Sequence, residues 1–195
     1  EELWHGQAPP YLAMFDWLEG RSERPSPSPT PVFRPLMLAN PLEEVEWAAL
    51  EPDEFAAEWK WDGIRVQLAR RGGVTKLFSR SGDDIGGSFP EVTENFQFDA
   101  VLDGELLVVR EAVVAPFGDL QQRLNRKTVS RGLMAKYPPH VRFYDALELD
   151  GEDLRGLSFD ERRRRLEDWH AANKPPLSDL SEVLSVGSKD ELRQL

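Results

Sequence analysis

Apolar and polar positions alternate most regularly in the middle of the chain. Ile64, Val66 and Leu68 interleave with Arg65, Gln67 and Ala69, which is the period of a strand. Arg71-Gly72-Gly73 then turns the chain and Val74 to Arg80 runs back, so the segment reads as a hairpin. Val101 to Val109 and Val141 to Leu147 are further stretches of strand character. Helical spacing replaces alternation toward both ends. Tyr11, Leu12, Met14, Phe15 and Leu18 fall on one helix face, with Gly20 as a stop. Asn40-Pro41-Leu42-Glu43 has the cap, first-turn proline and box glutamate of a short helix ending near Leu50. Ser158-Phe159-Asp160-Glu161 is a capping box ahead of Arg162 to Trp169, and Ser188-Lys189-Asp190-Glu191 is another. Strands in the centre with helices around them predict an α+β fold.

The 195 residues suffice for one sizeable domain and a short extension. Proline at every second position from Pro25 to Pro31 resists helix and sheet and reads as an extended tether. Residues 1–31 are therefore expected to be the end of an upstream helical domain plus a linker, and the main domain to occupy 32–195. The sequence starts without Met or a signal peptide and has no apolar run near the roughly 20 residues that span a bilayer. A piece of a longer, cytoplasmic, monomeric protein without a membrane partner is expected.

Charge and cysteine usage remove several chemistries. With 24 basic and 35 acidic side chains the net charge is −11, which excludes a general basic coat but not a local basic face. There is no cysteine, which excludes disulfides, thiol catalysis and a cysteine metal site, and the wide spacing of His5, His140 and His170 argues against a His-rich zinc site. Between Leu120 and Phe143 the chain carries Arg123, Arg126, Lys127, Arg131, Lys136 and Arg142 with no acid. That run either tracks nucleic-acid phosphates or is a solvated loop. Arg162 to Arg165 are expected on an exposed helix face, paired with Glu161, Glu167 and Asp168.

The candidate chemistry begins at Glu58-Trp59-Lys60-Trp61-Asp62-Gly63-Ile64-Arg65, a lysine between two tryptophans at a sharp turn. Alone it is also compatible with a salt-bridged surface lysine. Ser79-Arg80-Ser81-Gly82-Asp83-Asp84 follows, then Leu102-Asp103-Gly104-Glu105-Leu106-Leu107, then Phe143-Tyr144-Asp145-Ala146-Leu147. Asp and Gly are poor strand residues, and Asp103 or Glu105 buried without a cation or hydrogen-bond donor would be costly. Ordinary bulges or cross-strand ion pairs are the alternative.

Taken in order, these segments resemble the nucleotidyltransferase domain of ATP-dependent DNA ligases of bacterial and archaeal type. The likeness runs from about Pro35-Leu36-Met37-Leu38-Ala39 to the end of the chain and includes Phe117-Gly118-Asp119-Leu120-Gln121-Gln122-Arg123-Leu124. It implies antiparallel sheets flanked by helices, with the nucleotide between the sheets. It implies that Lys60 attacks the α-phosphate of ATP and carries AMP covalently. AMP then passes to the 5′-phosphate at a nick in double-stranded DNA, and the 3′-hydroxyl displaces it. Glu58 would read the adenine amino group, Arg65 would hold AMP or the 5′-phosphate of the nick, Arg80 would hold phosphate or ribose, and Tyr144 would stack on adenine. Glu105 would bind ribose or metal, and Asp62 would either hold Mg²⁺ together with Glu105 or contact the ribose. Arg123, Arg126, Lys127 and Arg131 would contact DNA.

Free lysine has a pKa of about 10.4, so roughly one amine in 2,500 is neutral at pH 7, a cost of about 4–5 kcal/mol in reactivity. Arg65, Arg80 and a metal ion would lower that pKa and a close Asp62 would raise it, so Asp62 is expected not to pair with Lys60. Two family features are absent: a late Glu-Gly segment with a following Lys, and a Lys-rich strand beyond it. The resemblance therefore implies that the rest of the domain and an oligonucleotide-binding barrel are missing, and that the fragment binds ATP or AMP weakly, adenylates itself poorly and cannot seal nicks alone. An RNA ligase, a capping-type nucleotidyltransferase and a non-catalytic DNA-binding module are the alternatives.

Overall fold

A computed structural model describes residues 10–25, 30–39, 41–51, 54–124, 126 and 128–194. His5, the linker residues 26–29, the expected cap Asn40 and the basic Lys127 lie outside the described residues. In chain order come α1 (Leu12–Leu18), α2 (Glu44–Ala49), β1 (Ala57–Glu58), β2 (Ile64–Arg71) and β3 (Val74–Ser79). Then follow α3 (Pro90–Asn95), β4 (Ala100–Arg110), β5 (Val113–Val114), α4 (Phe117–Gln121) and α5 (Arg131–Lys136). The chain continues through β6 (Pro139–Leu149), β7 (Glu152–Asp153), α6 (Phe159–Asn173), β8 (Ser178–Leu180), β9 (Val183–Leu184) and α7 (Lys189–Gln194).

Among the described residues the strands form a seven-stranded sheet, with the path β3-β2-β4-β6-β7, and a two-stranded sheet, β1-β9. Strand β5 pairs with β4, and β8 pairs with β6. Every pairing is antiparallel except β6 with β8. The molecule is thus an α+β fold of antiparallel sheet flanked by helices, with one parallel exception. The exception arises because α6 returns the chain to the side of β6 from which that strand began.

Strand period two sorts the large sheet into two faces. Val66 and Leu68 of β2, Leu102, Leu106 and Val108 of β4, and Val141 and Phe143 of β6 share one hydrophobic core. Helices α3, α4 and α6 cover that core through Val92, Leu120, Leu166 and Trp169; complete burial of a side chain such as Leu166 contributes about 1.5–3 kcal/mol. Arg65, Gln67, Asp103, Glu105 and Tyr144 take the intervening positions and face the other way. On that second face Phe33 packs against a small cluster of Ala69, Phe78, Val101 and Leu147, its ring edge-on to Phe78 at 5.9 Å.

Helix α2 starts later than the sequence suggested. Glu43 is its cap, and Glu43 and Glu46 complete the reciprocal box. In α1 only Met14 is buried, while Leu12, Phe15 and Leu18 stay exposed. No helix among the described residues is long and apolar enough to cross a membrane.

Candidate active site

The second face of the large sheet forms the floor of a cleft of about 1050 Å³. Glu58, Lys60, Asp62, Arg65, Arg80, Glu105 and Tyr144 all line it. Glu58 ends β1, and Lys60 and Asp62 lie on the turn into β2. Arg65, Glu105 and Tyr144 come from the neighbouring strands β2, β4 and β6, and Arg80 follows β3. Arg65 and Glu105 are direct cross-strand partners.

Two glycines make this spacing possible by close approach. A Cβ on Gly63 would lie 2.4 Å from the Leu106 carbonyl oxygen and 2.9 Å from the Glu105 Cγ. The bare backbone instead lets the Gly63 N–H donate to the Glu105 carboxylate. A Cβ on Gly104 would lie 2.7 Å from the Arg142 carbonyl oxygen, so β4 and β6 close beside Glu105 only with glycine between Asp103 and Glu105.

Asp103 is fully buried and paired. It accepts from Arg65 Nη2 at 2.9 Å and from Gln67 Nε2 at 3.2 Å. Burial pushes its carboxyl up, and Arg65 and Gln67 pull it back. Arg65 Nη2 also donates to the Met37 carbonyl at 3.0 Å, and its guanidinium lies over the Tyr144 ring at 5.5 Å. Its buried Nε has no hydrogen-bond partner among the described residues. The segment 33–39 is a strap laid on this face. The Arg34 amide donates to Gln67 Oε1 at 2.7 Å and Gln67 Nε2 donates back to the Arg34 carbonyl at 3.1 Å.

Burial raises Glu105 to about 7, with Asp62 adding to the rise while Gly63, Arg65 and Lys60 oppose it. Burial also raises Glu58, against the pull of Arg163 and a hydrogen bond from Ser181. The Tyr144 hydroxyl is pushed far up by burial, so this side chain stays neutral at physiological pH. Among the described residues no ion pair engages Lys60, Asp62 or Arg80. Asp62 therefore does not hold Lys60, and Arg80 is not tied to Asp83 or Asp84.

Leu36 to Ala39, where the family likeness begins, also line the cleft, as do Phe159 and Arg162, which the sequence did not mark as site residues. The arginine run on α6 is corrected by the structure. Arg162 is buried and forms a fork with Asp145, 2.8 Å on each arm. Arg163 is buried too and reaches Glu58 at 3.1 Å and Glu167 at 2.6 Å. Only Arg164 and Arg165 keep the expected outward pairing, with Glu161.

Arg123 needs a second correction. It is fully buried and spends its guanidinium on Glu91, the Ser88 carbonyl and the Tyr137 carbonyl. It is a structural arginine with no face toward a nucleic acid. Arg142 is committed as well, to Asp179 at 2.6 Å and to the Trp61 ring at 4.0 Å. Arg126, Arg131 and Lys136 remain exposed.

Comparison with known proteins fits this geometry. Residues 36–195 match the family described as ATP dependent DNA ligase domain. A DNA ligase of Archaeoglobus fulgidus is 32% identical over 164 residues, covering 82% of this chain and 29% of that protein. A DNA ligase of Cenarchaeum symbiosum is 39% identical over 147 residues, covering 70% of this chain and 25% of its own length. The ligase domain of M. tuberculosis LigD superimposes with a TM-score of 0.56 at 30% identity, covering 71% of this chain and 44% of the other. A mycobacterial DNA ligase D complexed with ATP and MES gives a TM-score of 0.53 at 31% identity, covering 67% of this chain and 40% of the other. The chain thus spans under a third of the length of these curated relatives, and with the motif-bearing strands brought together around one cleft it belongs to the ATP-dependent DNA ligase domain family.

Proposed function

We propose that this chain is the adenylation domain of an ATP-dependent DNA ligase, with Lys60 as the nucleophile. The observation that carries the reading is the meeting of Lys60, Glu58, Asp62, Arg65, Arg80, Glu105 and Tyr144, drawn from separate segments, in one cleft. Lys60 Nζ, once deprotonated, attacks the α-phosphorus of ATP. The N–P bond forms, the bond to the bridging oxygen breaks, and pyrophosphate leaves. AMP passes next to the 5′-phosphate of a nick, and the 3′-hydroxyl displaces it to close the strand. Freedom from ion pairs suits Lys60 and Arg80 to phosphate contacts, and the unpartnered Nε of Arg65 offers a further donor. Tyr144 supplies an aromatic face for the adenine, and Glu58 an acceptor for its amino group.

Magnesium suits the remaining residues. Asp62 and Glu105 repel each other across the cleft, and a cation between them would relieve that repulsion. Among the described residues no group of three or more carboxylate or imidazole ligands gathers. An ion here would complete its shell with phosphate oxygens and water, and when bound would neutralise phosphate charge.

For DNA, Arg126 and Arg131 are the exposed members of the four expected contacts, with Lys127 between them in sequence, and Lys136 of the same basic run is exposed as well. The domain boundary near residue 32 is supported by Phe33, which packs on the sheet. The test is intact-mass analysis after incubation with ATP and Mg²⁺. An acid-labile AMP adduct on Lys60, missing in Lys60→Ala and not formed from GTP, is expected. An adduct on another residue, or equal labelling by GTP, would overturn the reading.

A further inference from the structure

Arg162 of α6 lines the cleft, and its neighbour Arg163 touches the residue proposed to read the base. Arg163 is a three-armed anchor. Its Nη1 donates to Glu58 at 3.1 Å, Nη2 to the Ser181 carbonyl at 2.6 Å, and Nε to Glu167 at 2.6 Å. Its side chain is only 9% exposed, and that of Glu58 21%. Ser181 joins the same group from the other side. Its fully buried hydroxyl accepts from Trp61 Nε1 at 3.3 Å and binds Glu58. Glu58 is thus held in place from α6 and from the first residue after β8.

We infer that Arg163 is the positioning residue for nucleobase selectivity: it fixes Glu58 as a charged, oriented acceptor at the cleft wall. The inference rests on the nucleotide-cleft reading above and adds the residue that makes it selective. An ionised carboxylate accepts from the 6-amino group of adenine and repels the 6-keto oxygen of hypoxanthine or guanine. The two purine classes differ at that edge by donor against acceptor. Without Arg163, Glu58 keeps its burial and the negative neighbour Asp145 but loses its counter-charge. The carboxylate then loses the guanidinium that orients it, and its balance shifts toward the protonated form, which donates to a keto oxygen. Selectivity therefore belongs to the Arg163–Glu58 pair, and Arg163 needs no contact with the nucleotide.

AMP and IMP differ only at this edge, so their relative affinity for the 195-residue chain, measured by isothermal titration, isolates the contact. Wild type is expected to prefer AMP by about 10- to 100-fold, the range of a hydrogen bond to a charged group. Arg163→Gln is expected to weaken AMP and not IMP, bringing the ratio near one. Arg163→Lys, which keeps the charge at a single point, falls between the two. In a Glu58→Gln background Arg163→Gln leaves the ratio unchanged. A structural role alone would weaken both nucleotides together, and that result overturns the inference, as does a wild-type ratio in a folded Arg163→Gln. If Arg163→Gln unfolds, Arg163→Lys decides, and a wild-type ratio there refutes the positioning role. A wild-type chain that binds neither nucleotide overturns the nucleotide-cleft reading, and this inference falls with it. Tight AMP binding with no preference over IMP overturns this inference alone.

Discussion

Replacing Arg123 with methionine is expected to destabilise the domain by about 3 kcal/mol or more. The buried guanidinium donates to the Ser88 carbonyl at 3.2 and 2.7 Å, to the Tyr137 carbonyl at 3.0 Å, and to the two Glu91 oxygens at 2.8 and 2.7 Å. It also lies over the Phe89 ring at 5.0 Å. These contacts tie the turn before α3, α3 itself and the residue after α5 to one point. Methionine fills much of the volume but satisfies none of the acceptors. Removing one partner of a buried ion pair costs about 3–5 kcal/mol. Glu91 keeps 16% side-chain exposure, so water recovers part of its solvation and the lower end applies to the pair. The two orphaned carbonyls push the total back up, by about 1–3 kcal/mol for each group left dry. Urea unfolding with linear extrapolation measures the change. A loss below about 1 kcal/mol, with weakened DNA binding and a shallower salt dependence, would refute the structural assignment and return Arg123 to the DNA surface.

Other outcomes follow from the cleft. Tyr144→Ala should weaken AMP binding by about 1–3 kcal/mol, the scale of a base stacked on an aromatic ring, while Tyr144→Phe should bind almost as wild type in the same titration. Glu105 is raised from 4.5 to about 7 in the fold, so the folded state holds its proton longer than the unfolded chain does. Its contribution is fully present below the unfolded value and is lost as pH rises through about 7. Unfolding at pH 5 and pH 8 should therefore show Glu105→Gln more stabilised, relative to wild type, at the higher pH. Replacing Arg126 and Arg131 together by Gln should reduce the slope of log affinity for nicked DNA against log salt by about 2, without altering AMP binding.

Sequence periodicity revealed the strands whose faces differ. Residues 64–69 alternate because one face meets Leu102 and Phe143 while the other carries Arg65 and Gln67, and that contrast is local. The two-residue strands β1 and β9 are too short to show any period, so the second sheet was not visible, although the residue after next from β1 is Lys60. Four consecutive arginines on α6 look alike in sequence. The helix turns each by about 100° from the last, and burial of Arg162 and Arg163 depends on Asp145 and Glu58 from distant segments. The burial of Arg123 is hidden in the same way, since its partner Glu91 lies 32 residues away. Asp103, Gly104 and Glu105 stand out because glycine and acid are out of place in a strand, and Lys60 and Asp62 because they sit among tryptophans and a glycine at the turn into β2. The strap does not, because residues 33–39 carry no repeating pattern and are held from distant strands, by Gln67, Glu148, Arg65 and the Phe78 ring.

That glutamine has a consequence for solvent access. The Arg34 main chain bonds through both its N–H and its C=O to the carboxamide of Gln67, which itself has no exposure. An irregular stretch is thereby docked as if the side chain were a neighbouring strand. In deuterated water the Arg34 amide should exchange at the pace of the sheet interior, not at that of a loop. Tension applied to the polypeptide ahead of residue 33 would reach Arg65 through Gln67 and Asp103 without passing along any helix.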